Sequence, residues 1–191
     1  MQSLALAIRS LPQVTIAKLR GRLRGGGNEL AMAADLRYAA AGETWMSQIE
    51  SPLGIIPGGG GSTMLTELVG RSRTLEAVLT GDLYDAKTAE LYGWINLAIE
   101  PDHLDELVDG LAHRIASRLP QQIAAAKAIT DPHSTDKFAA GFARELSALG
   151  MLYPAADSFV ELVRRALAGG AQSRDGELDL EGAIERAAKH L

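Results

Sequence analysis

GRLRGGGNELAMAAD, residues Gly21–Asp35, carries three structural signals in one short run. Arg20, Arg22 and Arg24 alternate along the chain, which places all three on one face of a strand. Gly25-Gly26-Gly27 then breaks the extended chain, and Asn28 to Ala34 is rich in strong helix formers. The run reads as strand, glycine turn, helix.

The pattern continues on both sides. Upstream, Val14 to Leu19 alternates as a strand, and Leu4, Ile8 and Leu11 keep helical spacing until Pro12 stops them. Downstream, Leu36 to Ala40 and Thr44 to Met46 read as short strands. Ile49 to Gly61, with two prolines and five glycines, is a loop. The spacing predicts a helix from Ser62 to Gly70, and another from Thr74 to Leu79 with Ser72 as its N-cap and Gly81 as its stop. Asp85 caps a helix that Gly93 ends, and Trp94 to Ile99 is read as the last strand. Helices follow over Leu104–Leu119, Ile123–Ile129, Phe138–Leu149 and Phe159–Leu167. A polar linker, Ala168–Glu177, leads to a final amphipathic helix bearing Ile184 and Leu191. The class is α/β in residues 1–100, followed by a helical region over residues 101–191.

Composition narrows the functional classes. Over 191 residues, 47% hydrophobic and 23% charged content indicates a folded core that needs no staple. With no cysteine, thiolate metal sites and cysteine nucleophiles are excluded. A net charge of −5 argues against a broad nucleic-acid footprint. No apolar run reaches the ~18 residues a membrane helix needs, and Leu4–Ile8 is too short for a signal h-region. The expectation is a cytoplasmic protein with neither nucleic acid nor membrane as partner.

The glycine clusters do not complete the nucleotide-binding patterns. The third glycine of G-x-G-x-x-G is Leu30 in one cluster and Thr63 or Met64 in the other. Gly61 stands where a P-loop needs lysine, and Met64 fills the last glycine of G-x-S-x-G. His103, His113, His133 and His190 lack metal-ligand spacing, so no metal site is expected.

Two glutamates remain, each beside a glycine turn. Glu29 lies in the first helical turn after Gly25-Gly26-Gly27, where free N–H groups and the helix dipole can meet an anion or a developing oxyanion. Glu50 opens the glycine-proline loop. Two carboxylates in one pocket can split roles, one holding a proton and one accepting it. The same pattern also fits a glutamate that complements a helix dipole and a second that is a loop surface charge.

Gly21–Asp35 resembles the first signature of the crotonase family (enoyl-CoA hydratase/isomerase), and QIESPLGIIPGGGG, Gln48–Gly61, resembles the second. The similarity continues through Leu68 to Asp82 and through Ala89–Asn96, AELYGWIN, covering about Leu4 to Ile129. The resemblance implies a ββα spiral core whose N-terminal turns lie upstream of Met1, together with a second oxyanion N–H and much of the CoA adenine pocket. It places Glu29 and Glu50 on the family's two hydratase glutamates and Gly26 on an oxyanion-hole donor. Gly25, Gly27 and Gly58 fall at substrate-binding positions. The implied reaction is syn addition of water across the C2–C3 double bond of a 2-enoyl-CoA, with coenzyme A carried by the substrate and no separate cofactor. The implied assembly is a homo-oligomer, a trimer or dimer of trimers built by the C-terminal helices. Relatives with a single glutamate act as isomerases or acyl-CoA hydrolases, and a non-catalytic scaffold is the remaining alternative. Departures are Ile49 where proline usually precedes the second glutamate, and Met64 and Glu67 where basic residues are common.

Four smaller expectations follow. Arg20, Arg22 and Arg24 meet either CoA phosphates, a partner's carboxylates or solvent. Trp45 and Trp94 are packing residues, His103 and His113 are exposed helix positions, and Asp35 terminates the glycine helix.

Overall fold

The run of alternating residues before the glycine turn is not one strand but two. The computed structural model describes residues 1–130, 135–151 and 157–188, and in it α1 (Gln2–Ser10) precedes β1 (Ile16–Leu19) and β2 (Arg22–Arg24). Gly21, at φ +77°, turns the chain between them as a side chain would resist doing. The arginines therefore do not share a strand face: Arg20 lies outside both strands.

The chain continues through α2 (Gly26–Ala33), β3 (Leu36–Ala40), β4 (Trp45–Ser47) and a 3-10 turn over Ser51–Leu53. Next come α3 (Gly61–Val69), α4 (Arg71–Thr80), β5 (Tyr84–Asp85), α5 (Ala86–Tyr92) and β6 (Leu97–Ile99). β1, β3 and β6 form one parallel sheet in the order β1-β3-β6. A second sheet is ordered β2-β4-β5, with β2 parallel and β5 antiparallel to β4. Met32 and Ala33 of α2, Met46 of β4, Met64 and Leu65 of α3 and Trp94 form the buried core. Each large side chain among them contributes about 1.5–3 kcal/mol by leaving water.

Most helix ends match their sequence signals. Gly70, Gly81 and Gly93 end α3, α4 and α5, and Asp85 caps α5 by accepting from the Thr88 N–H at 2.7 Å. Two expectations need correction. Ser72 is not a cap: Gly70 directs its carbonyl to the Thr74 N–H, and the helix starts at Arg71. Trp94 is not in the last strand, which is only Leu97–Ile99; Trp94 is fully buried after the α5 stop.

The remaining elements are α6 (Pro101–Ala116), α7 (Pro120–Thr130), α8 (Thr135–Gly150), α9 (Asp157–Ala168), α10 (Arg174–Leu178) and α11 (Leu180–Ala188). The expected linker thus contains α10, which Ser173 caps through the Gly176 N–H. Leu191, His133 and His190 lie outside the described residues. Leu104 and Val108 of α6 cover Ala40 and Ile99. α8 packs on α1 and α3, while α9 and α11 pack on the Ser51–Leu53 turn. α8, α9 and α11 therefore border the glycine-proline loop. No helix among the described residues is long and apolar enough to cross a membrane.

Candidate active site

Glu29 points from the first turn of α2 into the glycine loop before α3. It is buried at 4% exposure, and its Oε1 accepts from the Gly59 N–H at 2.8 Å and the Gly61 N–H at 2.9 Å. Glycine is required at both donors. A Cβ on Gly59 would overlap Glu29 Oε2, and one on Gly61 would overlap Gln48 Nε2 and lie 2.9 Å from Glu29 Oε1. The sequence brings a carboxylate and a side-chain-free loop together, so two N–H groups reach one oxygen.

Glu50 borders the same region from the other side. Its Oε1 lies 2.8 Å from where a Gly25 Cβ would stand, and its Oε2 is buried with no partner among the described residues. Burial pushes its carboxyl up to about 7; its own backbone N–H opposes this, and the charges of Glu29 and Glu145 reinforce it. Glu50 thus keeps its proton to a higher pH than an isolated glutamate, chiefly because of its partial burial.

Gly25 joins β4 to the helix start: its N–H donates to the Ser47 carbonyl at 3.1 Å. The next N–H groups, of Gly26, Gly27 and Asn28, have no acceptor among the described residues. Those of Gly26 and Gly27 belong to exposed residues, so they are free donors at the positive end of α2. Gly58 is placed differently. Its carbonyl accepts from Gln2 Nε2 at 2.9 Å, and a Cβ there would meet Leu149 at 2.5 Å, so its contacts in the structure are packing contacts.

Sequence reasoning missed three polar residues behind the pair. Asn28 donates to Gln48 at 2.8 Å, both fully buried, while Asn28 Oδ1 and Gln48 Nε2 have no partner among the described residues. Unsatisfied buried polar atoms are rare and concentrate at functional sites. The third is Glu145 of α8, which accepts from Gly60 and Thr63. Burial also raises its carboxyl above the ordinary range, against the pull of the Thr63 and Gly60 donors. Its sequence signal was a charge three residues after Phe142 and four before Leu149, on the apolar stripe of its helix.

The other candidates resolve simply. Arg24 pairs with Glu181 at 2.6 Å, Arg20 pairs with Glu43 at 2.9 Å, and Arg22 is exposed. Asp35 does not end α2 as a cap; it accepts from the Thr15 N–H and hydroxyl and from Lys127, tying the residue just before β1 to α7. Trp94 is buried and Trp45 half-buried, whereas His103 and His113 are exposed. Among the described residues no cluster of His, Asp or Glu could hold a metal ion. A cavity of about 720 Å³, lined by Arg9, Met32, Arg37, Met64 and Lys127, contains neither Glu29 nor Glu50.

Comparison with known proteins identifies the family and the fold. Residues 1–160 match the enoyl-CoA hydratase/isomerase family. The chain is 45% identical over 104 residues to a short-chain-enoyl-CoA hydratase of Clostridioides difficile, covering 54% of this chain and 66% of that protein. It is 31% identical over 150 residues to a crotonyl-CoA hydratase of Syntrophomonas wolfei, covering 78% of this chain and 57% of that one. A crystal structure of an enoyl-CoA hydratase-type protein from Streptomyces avermitilis superposes with a TM-score of 0.91 at 45% identity, over 98% of this chain and 67% of that one. The chain thus spans little more than half to two thirds of these relatives.

Proposed function

The chain belongs to the enoyl-CoA hydratase/isomerase family, and from that premise we propose that it adds water across the C2–C3 double bond of a 2-enoyl-CoA thioester. The observation that carries this reading is the unequal setting of the two glutamates at one glycine loop. Glu29 is fixed by two N–H donors on one of its oxygens, while Glu50 is half-buried, with its Oε2 enclosed and unpartnered among the described residues, and holds its proton to about 7.

That asymmetry supports a division of roles. Glu29 accepts a proton from water as the water oxygen bonds to C3, and Glu50 delivers its proton to C2. The π electrons move toward the thioester carbonyl, whose oxygen gains negative charge and is met by the Gly26 N–H. Such a donor contributes about 3–4 kcal/mol to lowering the barrier. The proton gained by Glu29 and the one lost by Glu50 balance, and water is consumed without a redox step.

The test is direct. Crotonyl-CoA is mixed with the protein, expressed with any coding sequence that precedes Met1 in frame, and loss of the conjugated thioester absorbance is followed. Steady loss with formation of 3-hydroxybutyryl-CoA supports hydration. Binding of crotonyl-CoA without its consumption removes the hydratase reading.

The same reading includes a homo-oligomer, a trimer or dimer of trimers. Leu91 at 76% exposure, Ile129 at 80% and Met151 at 79% leave apolar surface in water, and such surface marks interfaces when it is contiguous. Light scattering at micromolar concentration is expected to give a trimer or hexamer mass. A stable monomer removes the assembly from the proposal.

A further inference from the structure

Three consecutive glycine N–H groups are divided between two carboxylates from distant parts of the chain. Those of Gly59 and Gly61 donate to Glu29, and that of Gly60, between them, donates to Glu145 Oε2 at 2.8 Å. Glu145 Oε1 takes the Thr63 N–H at 2.6 Å and the Thr63 hydroxyl at 3.1 Å. The start of α3 is therefore gripped from both sides, by Glu29 from α2 and by Glu145 from α8.

The contact leaves no slack. A Cβ on Gly60 would meet the Phe142 ring at 2.5 Å, and one on Gly141 would meet the Thr63 methyl at 2.5 Å. Glu145 is 7% exposed, between apolar residues of its own helix. A charge in such a place is costly unless its hydrogen bonds are made, and an apolar side chain of similar size often stabilises as well or better. Packing alone gives no reason for a carboxylate here. Its donors give one: without it, the Gly60 and Thr63 N–H groups would lose their acceptor inside the protein.

We propose that Glu145 is a positioning residue of the active site, which holds the Gly59–Gly61 strip so that Glu29 is aimed at the substrate. Only its kinetic consequence rests on the hydratase reading. Two observations make the link specific. The strip's donors alternate between the two carboxylates, so a shift of Gly60 moves both donors to Glu29. The Glu145 carboxylate also holds the Thr63 N–H in the first turn of α3, so one side chain clasps both the glycine strip and the helix that follows it.

The experiment is Glu145→Gln, which keeps the volume and replaces one acceptor with an NH₂ facing an N–H donor. Amide hydrogen exchange is read by NMR. Gly59 and Gly61, which Glu145 does not touch, are expected to exchange roughly tenfold faster, with the β3 amides unchanged. Hydration of crotonyl-CoA should lose roughly tenfold in kcat with little change in KM. Acceleration confined to Gly60 and Thr63, or spread equally over β3, overturns the proposal. If the glutamine variant does not fold, Glu145→Asp, with its carboxylate drawn back by one methylene, is read on the same amides. Where the parent does not hydrate crotonyl-CoA, the hydratase reading falls, and the exchange pattern still decides the role of Glu145.

Discussion

Glu29→Gln and Glu50→Gln are each expected to lower crotonyl-CoA hydration by about 10²–10⁴-fold, the usual contribution of a positioned acid or base. Glutamine suits both positions as a probe. At residue 29 its carbonyl oxygen can still accept from Gly59 and Gly61, so the loop stays anchored and only the basic oxygen is lost. At residue 50 it keeps the size and a polar hydrogen but cannot release a proton. The double variant should lose little more than either single one, since residues acting as a unit are not additive. A large loss in one variant beside a near-parental rate in the other points to one-carboxylate chemistry, isomerisation or thioester hydrolysis, and ends the two-carboxylate mechanism.

The Glu50 variant carries a second readout of opposite sign. In the folded protein Glu50 keeps its proton to about 7, whereas in the unfolded chain it releases it near 4.5. The folded state therefore binds the extra proton between those values, and its stability contribution, full below about 4.5, is lost as pH rises through about 7. Glu50→Gln has no such loss. Compared with the parent it should melt at a relatively higher temperature at pH 8 than at pH 5, while being nearly inactive. Equal melting differences at both pH values would mean that Glu50 is not held in the low-dielectric setting the mechanism needs. Under the proposed mechanism Glu50 is a catalytic group that costs stability, the usual trade at an active site.

What the sequence made legible was local. The glycine turn before Asn28 places Glu29 in the first turn of α2 because nothing but backbone chemistry is needed to open a helix there. Gly70, Gly81, Gly93 and Asp85 end or cap helices for the same reason. Glu50 beside Gly25 was legible only through the two signatures taken together, since no local rule links them. The division of one apparent strand at Gly21 was hidden because alternation continues through Arg20–Arg24, and only the pairing partners show two sheets: β1 to β3, β2 to β4. Glu145 was hidden more deeply. Its helix reads as an ordinary amphipathic segment, and its donors lie 85 and 82 residues away in the chain. Arg24 shows the same limit, since its partner Glu181 belongs to α11. Such pairs are fixed by tertiary packing, which periodicity does not encode.

Gly26→Val is expected to leave the fold intact and to lower acyl-CoA turnover by about 10²–10³-fold, the effect of losing one oxyanion donor. The space around the residue supports the first half. A Cβ on Gly26 would find only the Met1 terminal methyl within 4 Å, at 3.9 Å, and valine at an exposed helix start costs at most about 0.7 kcal/mol. The second half follows from reach: a ligand oxygen must come within about 3 Å of the Gly26 N–H, and a branched side chain stands in that path. Gly61→Ala is the matched control, because there the added Cβ would overlap Gln48, lie 2.7 Å from Pro57 and crowd Glu29, so the fold itself should melt lower. Together the two variants separate a glycine needed for approach from one needed for packing. Circular dichroism and melting should stay parental for Gly26→Val and fall for Gly61→Ala, while acyl-CoA binding and turnover drop in both. Parental acyl-CoA affinity and rate in Gly26→Val would remove Gly26 from the site and move the oxyanion donor elsewhere in the chain.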